Sequence, residues 1–301
     1  MYAKCGELDR AKQAFDRMCK RNVVTWSSMI GAYAVLGDAV NALDLLHEMK
    51  SQRVESNGVT FVGLLYACSH AGLVEEGRKI FASMVNDYDI TPKREHYGCM
   101  VDLYGKANLL KESLEVIEQM PMAPNVVIWG SLMAACRIYN ETELGEFAAK
   151  RVLELDPYHD GAHIFLSNVY AKERKWESVG DIRKLMQNKG VVKQQGCSRI
   201  ELDEEIHEFL TVDKNHAHVD EIYEKLDAVV NELEREVGTV FRVVKTEKRI
   251  LHSYNQESSV CEDCHNFMKL ASKVYGIQIL VRDRTRFHRY EDGMCSCKDY
   301  W

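Results

Sequence analysis

The sequence predicts a mostly α fold: an α-solenoid of helical-hairpin repeats, followed by a small α/β unit rich in cysteine and histidine. Three observations predict it. Bulky aromatics recur at Trp26, Phe61, Tyr97, Trp129 and Phe165, at intervals of 35, 36, 32 and 36. Gly6, Gly37, Gly72, Asn108 and Asn140 recur at 31, 35, 36 and 32, and Met49, Met84, Met120 and Leu155 at 35, 36 and 35. Independent series that share a period near 35 mark helical hairpins, because periods of roughly 34–47 residues belong to α-solenoids. Last, residues 261–301 hold four of the ten cysteines in two short pairs, Cys261/Cys264 and Cys295/Cys297.

In chain order, Met1-Tyr-Ala-Lys-Cys-Gly6 reads as the end of a first helix, so the solenoid opens within a repeat. Ser27–Val35 and Phe61–Ser69 have helical apolar spacing, each followed by a glycine where positive φ comes at no steric cost. Val74–Met84 and Leu110–Met120 place apolar residues at i, i+3, i+4 and i+7 and read as the second helices. Each hairpin buries one face alone and stacking completes the core, so the aromatic and methionine series are expected inside. His70 and His96 fall within these helices. A helix is expected over Val219–Val237, with His216 and His218 facing solvent at its start. Another is expected from Asp263 to Tyr275, ended by Gly276, then an apolar strand Ile277–Val281.

Bulk properties narrow the function. At 301 residues and 46% hydrophobic content the chain can bury a core, with about two domains as the prior. No run of 18 apolar residues exists, so no membrane span is expected. The net charge of −7 argues against generic coating of duplex DNA. It is unevenly spread: residues 239–301 hold 11 Lys/Arg against 8 Asp/Glu, a balance of +3, which leaves −10 for residues 1–238. The six cysteines at 5, 19, 68, 99, 136 and 197 stand singly, which suits buried free thiols in a reducing compartment.

Val23-Val-Thr-Trp-Ser-Ser-Met-Ile30, Val59-Thr-Phe-Val-Gly-Leu-Leu-Tyr-Ala-Cys-Ser-His-Ala-Gly72 and Glu95-His-Tyr-Gly-Cys-Met-Val-Asp-Leu-Tyr104 carry a family likeness. Position by position the chain resembles the plant pentatricopeptide repeat family, and the ending Asp299-Tyr300-Trp301 resembles its DYW subclass. The resemblance implies pentatricopeptide repeats over 1–125, degenerate extension repeats over 126–194, a strand and helix extension over 195–238 and a zinc-binding deaminase-like domain over 239–301. It also implies binding of single-stranded organellar RNA, in a mitochondrion or chloroplast, beside other proteins of an editing complex. Base recognition would fall to the fifth residue of a repeat's first helix and the repeat's last residue, here Ser27 and Asn57. A small hydroxyl with Asn resembles the family's pairing for adenine, Asn supplying both donor and acceptor. The next pairs, Val62 with Lys93 and Gly98 with Asn125, match no base. A protein-binding scaffold shares the repeat period and is the competing reading.

In the tail, thiolates and imidazoles at close spacing are what a tetrahedral zinc site needs. The family likeness implies a structural zinc held by His265, His288, Cys295 and Cys297, and a catalytic zinc held by Cys261 and Cys264 with an upstream histidine. By themselves, Cys-x-x-Cys also suits a redox pair and Cys-x-x-Cys-His a c-type haem attachment. Zinc deaminases carry His-x-Glu upstream, whose glutamate moves the proton. None of the eleven histidines is followed two residues later by glutamate. Only 22 residues separate Gly238 from Cys261, and His252 is their one histidine, with Tyr254 where glutamate should stand. His252 is therefore the candidate third ligand and Glu257, five residues on, the candidate acid/base. The chain is identified as a family member with a shortened deaminase-like domain.

Overall fold

The computed structural model describes residues 8–191, 197–202, 205–210, 218–237, 262–282 and 287–297. It divides into two compact units, one formed mainly by residues 1–193 and one by residues 194–296.

Among the described residues of the first unit every regular element is a helix. After α1 (Leu8–Asp16) come five hairpins: α2/α3 (Val23–Val35, Ala39–Ser51), α4/α5 (Gly58–Ala71, Val74–Asn86), α6/α7 (Arg94–Lys106, Leu110–Gln119), α8/α9 (Val126–Ile138, Thr142–Leu155) and α10/α11 (Asp160–Lys172, Trp176–Lys189). First helices begin three or four residues ahead of the apolar spacing because caps reach back: Asn22, Asn57, Asn125 and His159 each accept a backbone N–H of the opening turn. Each hairpin turns through a left-handed residue, at Gly37 (φ 74°), Gly72 (69°), Asn108 (59°), Asn140 (57°) and Arg174 (61°). The glycine/asparagine series is thus a series of turns, and the fifth turn uses an arginine, which tolerates that conformation poorly.

The core follows the other series with one exception. Trp26, Phe61, Met49 and Met84 are fully buried, Met120, Trp129 and Phe165 nearly so, and Tyr97 half-buried. Leu155, expected inside, is 51% exposed. It is the last residue of α9, where Asp156 and Pro157 end the helix, and Val152 one turn earlier takes the buried place. Repeat stacking is set by a small residue at the fourth position of the second helix in the first four hairpins: Ala42, Gly77, Ser113 and Gly145; in α11 the position is Val179. A Cβ on Gly77 would lie 2.4 Å from Leu103 Cδ2, and one on Gly145 would lie 2.6 Å from Phe165 Cζ. Those contacts belong to the next repeat's first helix, so the bare backbone lets neighbouring hairpins close up. Cys68 and Cys136 are buried and Cys99 half-buried; burial pushes each thiol up to about 12. Cys19 departs from the expectation and is exposed.

The second unit opens with an antiparallel pair, β1 (Cys197–Leu202) and β2 (Glu205–Leu210), in register Ile200↔His207. Helix α12 spans Val219–Val237 as expected, with His218 exposed at its start and 3.4 Å from Glu221; His216 lies outside the described residues. Helix α13 (Glu262–Tyr275) ends at Gly276, which adopts φ 59°. Strands β3 (Ile279–Arg282), β4 (Phe287–Glu291) and β5 (Met294–Cys295) form an antiparallel sheet in that order. Among the described residues no helix is long and apolar enough to cross a membrane.

Candidate metal centre and repeat-junction residues

Helix α13 and the β4–β5 hairpin converge on four side chains. The hairpin turn is Asp292-Gly293, with φ 49° and 79°, between the paired residues Glu291 and Met294. Two positive φ values in a two-residue loop match the twist of a hairpin, and Asp-Gly is the dipeptide that favours it. That dipeptide was the signal from which the hairpin could have been read in the sequence. The turn places Cys295 opposite Tyr290, next to His288. Gly293 N–H donates to Ser272 Oγ at 3.1 Å, and a Cβ on Gly293 would lie 3.2 Å from Lys273 Cδ, so the turn packs directly on α13. Ser296 N–H donates to Arg289 O (2.9 Å) and Arg289 N–H to Ser296 Oγ (3.1 Å), holding Cys295 and Cys297 beside the strand.

The ligand atoms of His265, His288, Cys295 and Cys297 all lie within 4.8 Å of one another, and all four residues are buried. Cys295 Sγ is 3.5 Å from His288 Nδ1. The His265 ring meets His288 at 5.5 Å and Tyr290 at 5.1 Å, both edge-on. A tetrahedron of Zn–N bonds near 2.0–2.1 Å and Zn–S bonds near 2.3 Å has edges of roughly 3.4–3.8 Å; the Cys295–His288 pair has that length, and the four donors are of the type such an ion takes. Two thiols and two imidazoles brought together in a buried site are also costly unless something compensates them, as a metal would.

Sequence neighbours part company here. Cys264 sits one residue before His265 on α13, about 100° around the helix. It is half-buried and not among the four. Cys261, His252 and Glu257 lie outside the described residues.

At the first repeat junction Ser27 and Asn57 meet the same side chain. Ser27, 7% exposed, lies 2.8 Å through its Oγ from Thr60 Oγ1. Asn57 caps α4: its Oδ1 accepts from Val59 N–H (3.0 Å) and Thr60 N–H (3.1 Å), and its own N–H donates to Thr60 Oγ1 at 3.2 Å. The amide oxygen that the sequence reading reserved for a base is therefore engaged in the cap. Sequence reasoning missed Thr60, which a capping pattern Asn-x-x-Thr could have pointed out. The next junction differs. There His96 Nδ1 accepts from Lys93 N–H and Nε2 donates to Gly58 O, both at 2.9 Å, and Val62 offers no polar group.

One further feature recurs at these helix starts. Val24, Val59 and Val127, each two residues after an Asn cap, are 66%, 65% and 69% exposed. Glu95 and Gly161 take that position in α6 and α10.

Comparison with known proteins places these features. The profile of the "DYW family of nucleic acid deaminases" matches residues 210–301, the E motif 139–201, the PPR repeat family 21–70, and the PPR repeat 1–23, 59–88 and 95–123. A pentatricopeptide repeat-containing protein of Arabidopsis thaliana is 54% identical over 335 positions, covering all of this chain and 46% of the relative. Two others from that plant, named as chloroplastic and mitochondrial, are 40% and 39% identical over 333 and 329 positions, covering all of this chain and 39% and 52% of each relative. The chain spans about half the length of the curated relatives it matches. All three alignments run longer than the chain's 301 residues, so each relative carries stretches with no counterpart here. Among solved structures, the maize pentatricopeptide repeat protein PPR10 is similar in fold, with a TM-score of 0.51 at 17% identity over 90% of this chain and 40% of that one.

Proposed function

Since the chain belongs to the pentatricopeptide repeat proteins that carry an E motif and a DYW deaminase domain, we propose that it recognises single-stranded RNA for C-to-U editing in an organelle. The observation that carries this reading is the row of exposed valines at one helix position, Val24, Val59 and Val127. An apolar side chain left in water at a repeated position is suited to the flat faces of unstacked bases, which proteins read with apolar and polar contacts together. The helix N-termini beside those valines carry the positive end of the helix dipole, which suits phosphate. Local features of this kind matter in a unit whose net charge is negative.

In the tail, His265, His288, Cys295 and Cys297 hold one structural zinc, which when bound cross-links α13 to the β4–β5 hairpin. Cys261 and Cys264 are two donors of a second zinc site whose candidate third ligand, His252, stands outside any His-x-Glu, so that site stays unfilled in the chain by itself. Deamination requires a carboxyl group that moves a proton, and the chain has no His-x-Glu to place one. Losing a positioned acid/base costs a factor of about 10²–10⁴ in rate. Conversion of cytidine at the bound site therefore depends on a deaminase domain supplied by another protein of the editing complex, with Glu257 as this chain's own candidate. The chloroplastic and mitochondrial names of relatives support an organellar location, mitochondrion or chloroplast.

Elemental analysis and RNA binding on the purified chain test this together. One zinc per chain, with single-stranded RNA bound in preference to duplex and no cytidine conversion, is the expected result. Equal affinity for single-stranded and duplex RNA overturns the recognition role. Two zincs with conversion by the chain alone overturn the need for a deaminase in trans.

A further inference from the structure

The Ser27–Thr60–Asn57 junction allows a proton count, resting on the reading that Ser27 and Asn57 contact a base. An amide oxygen has two lone pairs. On Asn57 both are taken by backbone N–H groups at 3.0 and 3.1 Å. Thr60 Oγ1 accepts from Asn57 N–H, so it has one proton to give, either to Asn57 Oδ1 at 3.3 Å or to Ser27 Oγ at 2.8 Å. The shorter contact, to an oxygen whose lone pairs are less occupied, takes it. Ser27 then keeps its own proton for an outside partner. Asn57 has only Nδ2 left, which enters no hydrogen bond among the described residues. Both side chains end as donors. Thr60 is fully buried, with no face of its own toward a ligand.

We propose that Thr60 is a positioning residue for base recognition: its hydroxyl, given to Ser27, aims the Ser27 proton outward beside Asn57 Nδ2, which can only donate, so this repeat favours a base whose Watson–Crick ring nitrogen accepts. Adenine N1 and cytosine N3 qualify. Guanine N1–H and uracil N3–H present a donor to Asn57 Nδ2, which cannot accept, and are disfavoured. The neighbouring junctions cannot work this way, since His96 uses both ring nitrogens within the backbone and the counterpart Ile128 has no polar atom.

The test is binding of the full chain to 12-nucleotide oligo(A), oligo(C) and oligo(U), read by fluorescence anisotropy. Homopolymers put the same base at every repeat, so register does not enter. The wild type is expected to favour oligo(A) and oligo(C) over oligo(U) by roughly tenfold, the scale of one well-placed polar contact. Thr60→Val should bring that ratio toward one, Thr60→Ser should keep it, and Ser27→Ala should abolish it. Melting temperatures are recorded for each; should the branched Val unsettle α4, Thr60→Ala makes the same comparison. A ratio flattened by Ser27→Ala but untouched by Thr60→Val and Thr60→Ala overturns the role of Thr60 and leaves base reading by Ser27 intact. A wild type without preference, or one indifferent to Ser27→Ala, overturns base reading at this junction and the positioning role with it.

Discussion

In the helical unit most of the fully buried side chains are apolar, such as Trp26, Phe61, Leu64, Leu103 and Leu132, with the hydroxyls of Thr60, Ser69 and Ser113 beside them, whereas in the α13 and β4–β5 region they are His265, His288, Ser272 and Tyr290. The first set is stabilised by removing apolar area from water, at roughly 25 cal/mol per Å², and the same packing recurs hairpin after hairpin. The second is a single helix on a three-stranded sheet, too small to bury much apolar surface, with a His/Cys quartet at its centre. The difference teaches that one chain can contain two kinds of stability: one spread over many similar contacts, and one concentrated in a single site that metal ligation would complete.

The largest effect should come from removing that metal. Chelation, or the substitutions Cys295→Ser and His288→Ala, should strip about one zinc and expose residues 262–297 to protease while the repeats stay resistant. Structural zinc sites contribute on the order of 10 kcal/mol in small modules. Unchanged metal content together with an unchanged digestion pattern in both variants would dismiss the cluster as a zinc site.

A smaller effect, confined to the repeats, is expected from Gly145→Ala. The new Cβ meets Phe165 Cζ at 2.6 Å and Cys136 Cβ at 3.1 Å. Overpacking costs about 1–3 kcal/mol, offset by about 1 kcal/mol of helix propensity. A lower melting temperature at full zinc content is the expected outcome, and an unaltered melt would mean that the hairpins are not in close contact there.

Alkaline pH should also single out the repeats. The thiols of Cys68, Cys99 and Cys136 are pushed by burial from 9.0 up to about 12. Between those values the unfolded chain has lost protons that the folded chain keeps, so stability is full below pH 9 and falls as pH rises toward 12. Thermal melts between pH 8 and 10 measure the slope, and replacing all three cysteines with alanine should flatten it there; above pH 10 the hydroxyls of Tyr33, Tyr139 and Tyr170, also pushed up by burial, add a slope of the same sign. In the same range of experiments, thiol labelling at pH 8 mapped by mass spectrometry should mark Cys19 and spare these three.

The smallest change is a gain. Arg174 holds φ 61° at a turn where its counterparts are glycine or asparagine. Arg174→Gly relieves a left-handed arginine at some cost in unfolded-chain entropy, for a net stabilisation of at most about 1 kcal/mol. A rise of a few degrees in the melt is expected; a fall would mean that the arginine side chain contributes more than the turn strain removes.

How much of this was legible depended on range. The turn series from Gly37 to Asn140 came from residue types whose preference for positive φ is intrinsic. Helix α12 came out with the bounds read from its spacing. The ligand quartet was named from chemistry and family likeness, and its four members do converge. Leu155 misled because a periodic position says nothing of where a helix stops. The β4–β5 hairpin was missed although Asp292-Gly293 announces it, since the strands around it are short and poor in alternation.

By itself the sequence determined the helix phase, the turns and the donor types of the tail, because φ preference, apolar periodicity and ligand chemistry are properties of neighbouring residues. Only the tertiary structure decided that Gly145 must stay bare against Phe165, that the β4–β5 turn packs on α13, and that Ser27 meets Thr60 across 33 residues. These depend on how one hairpin or strand seats against the next. Even the meaning of Asn57 changed there: in sequence its amide offers a donor and an acceptor, and in the fold the helix it caps has already taken the acceptor.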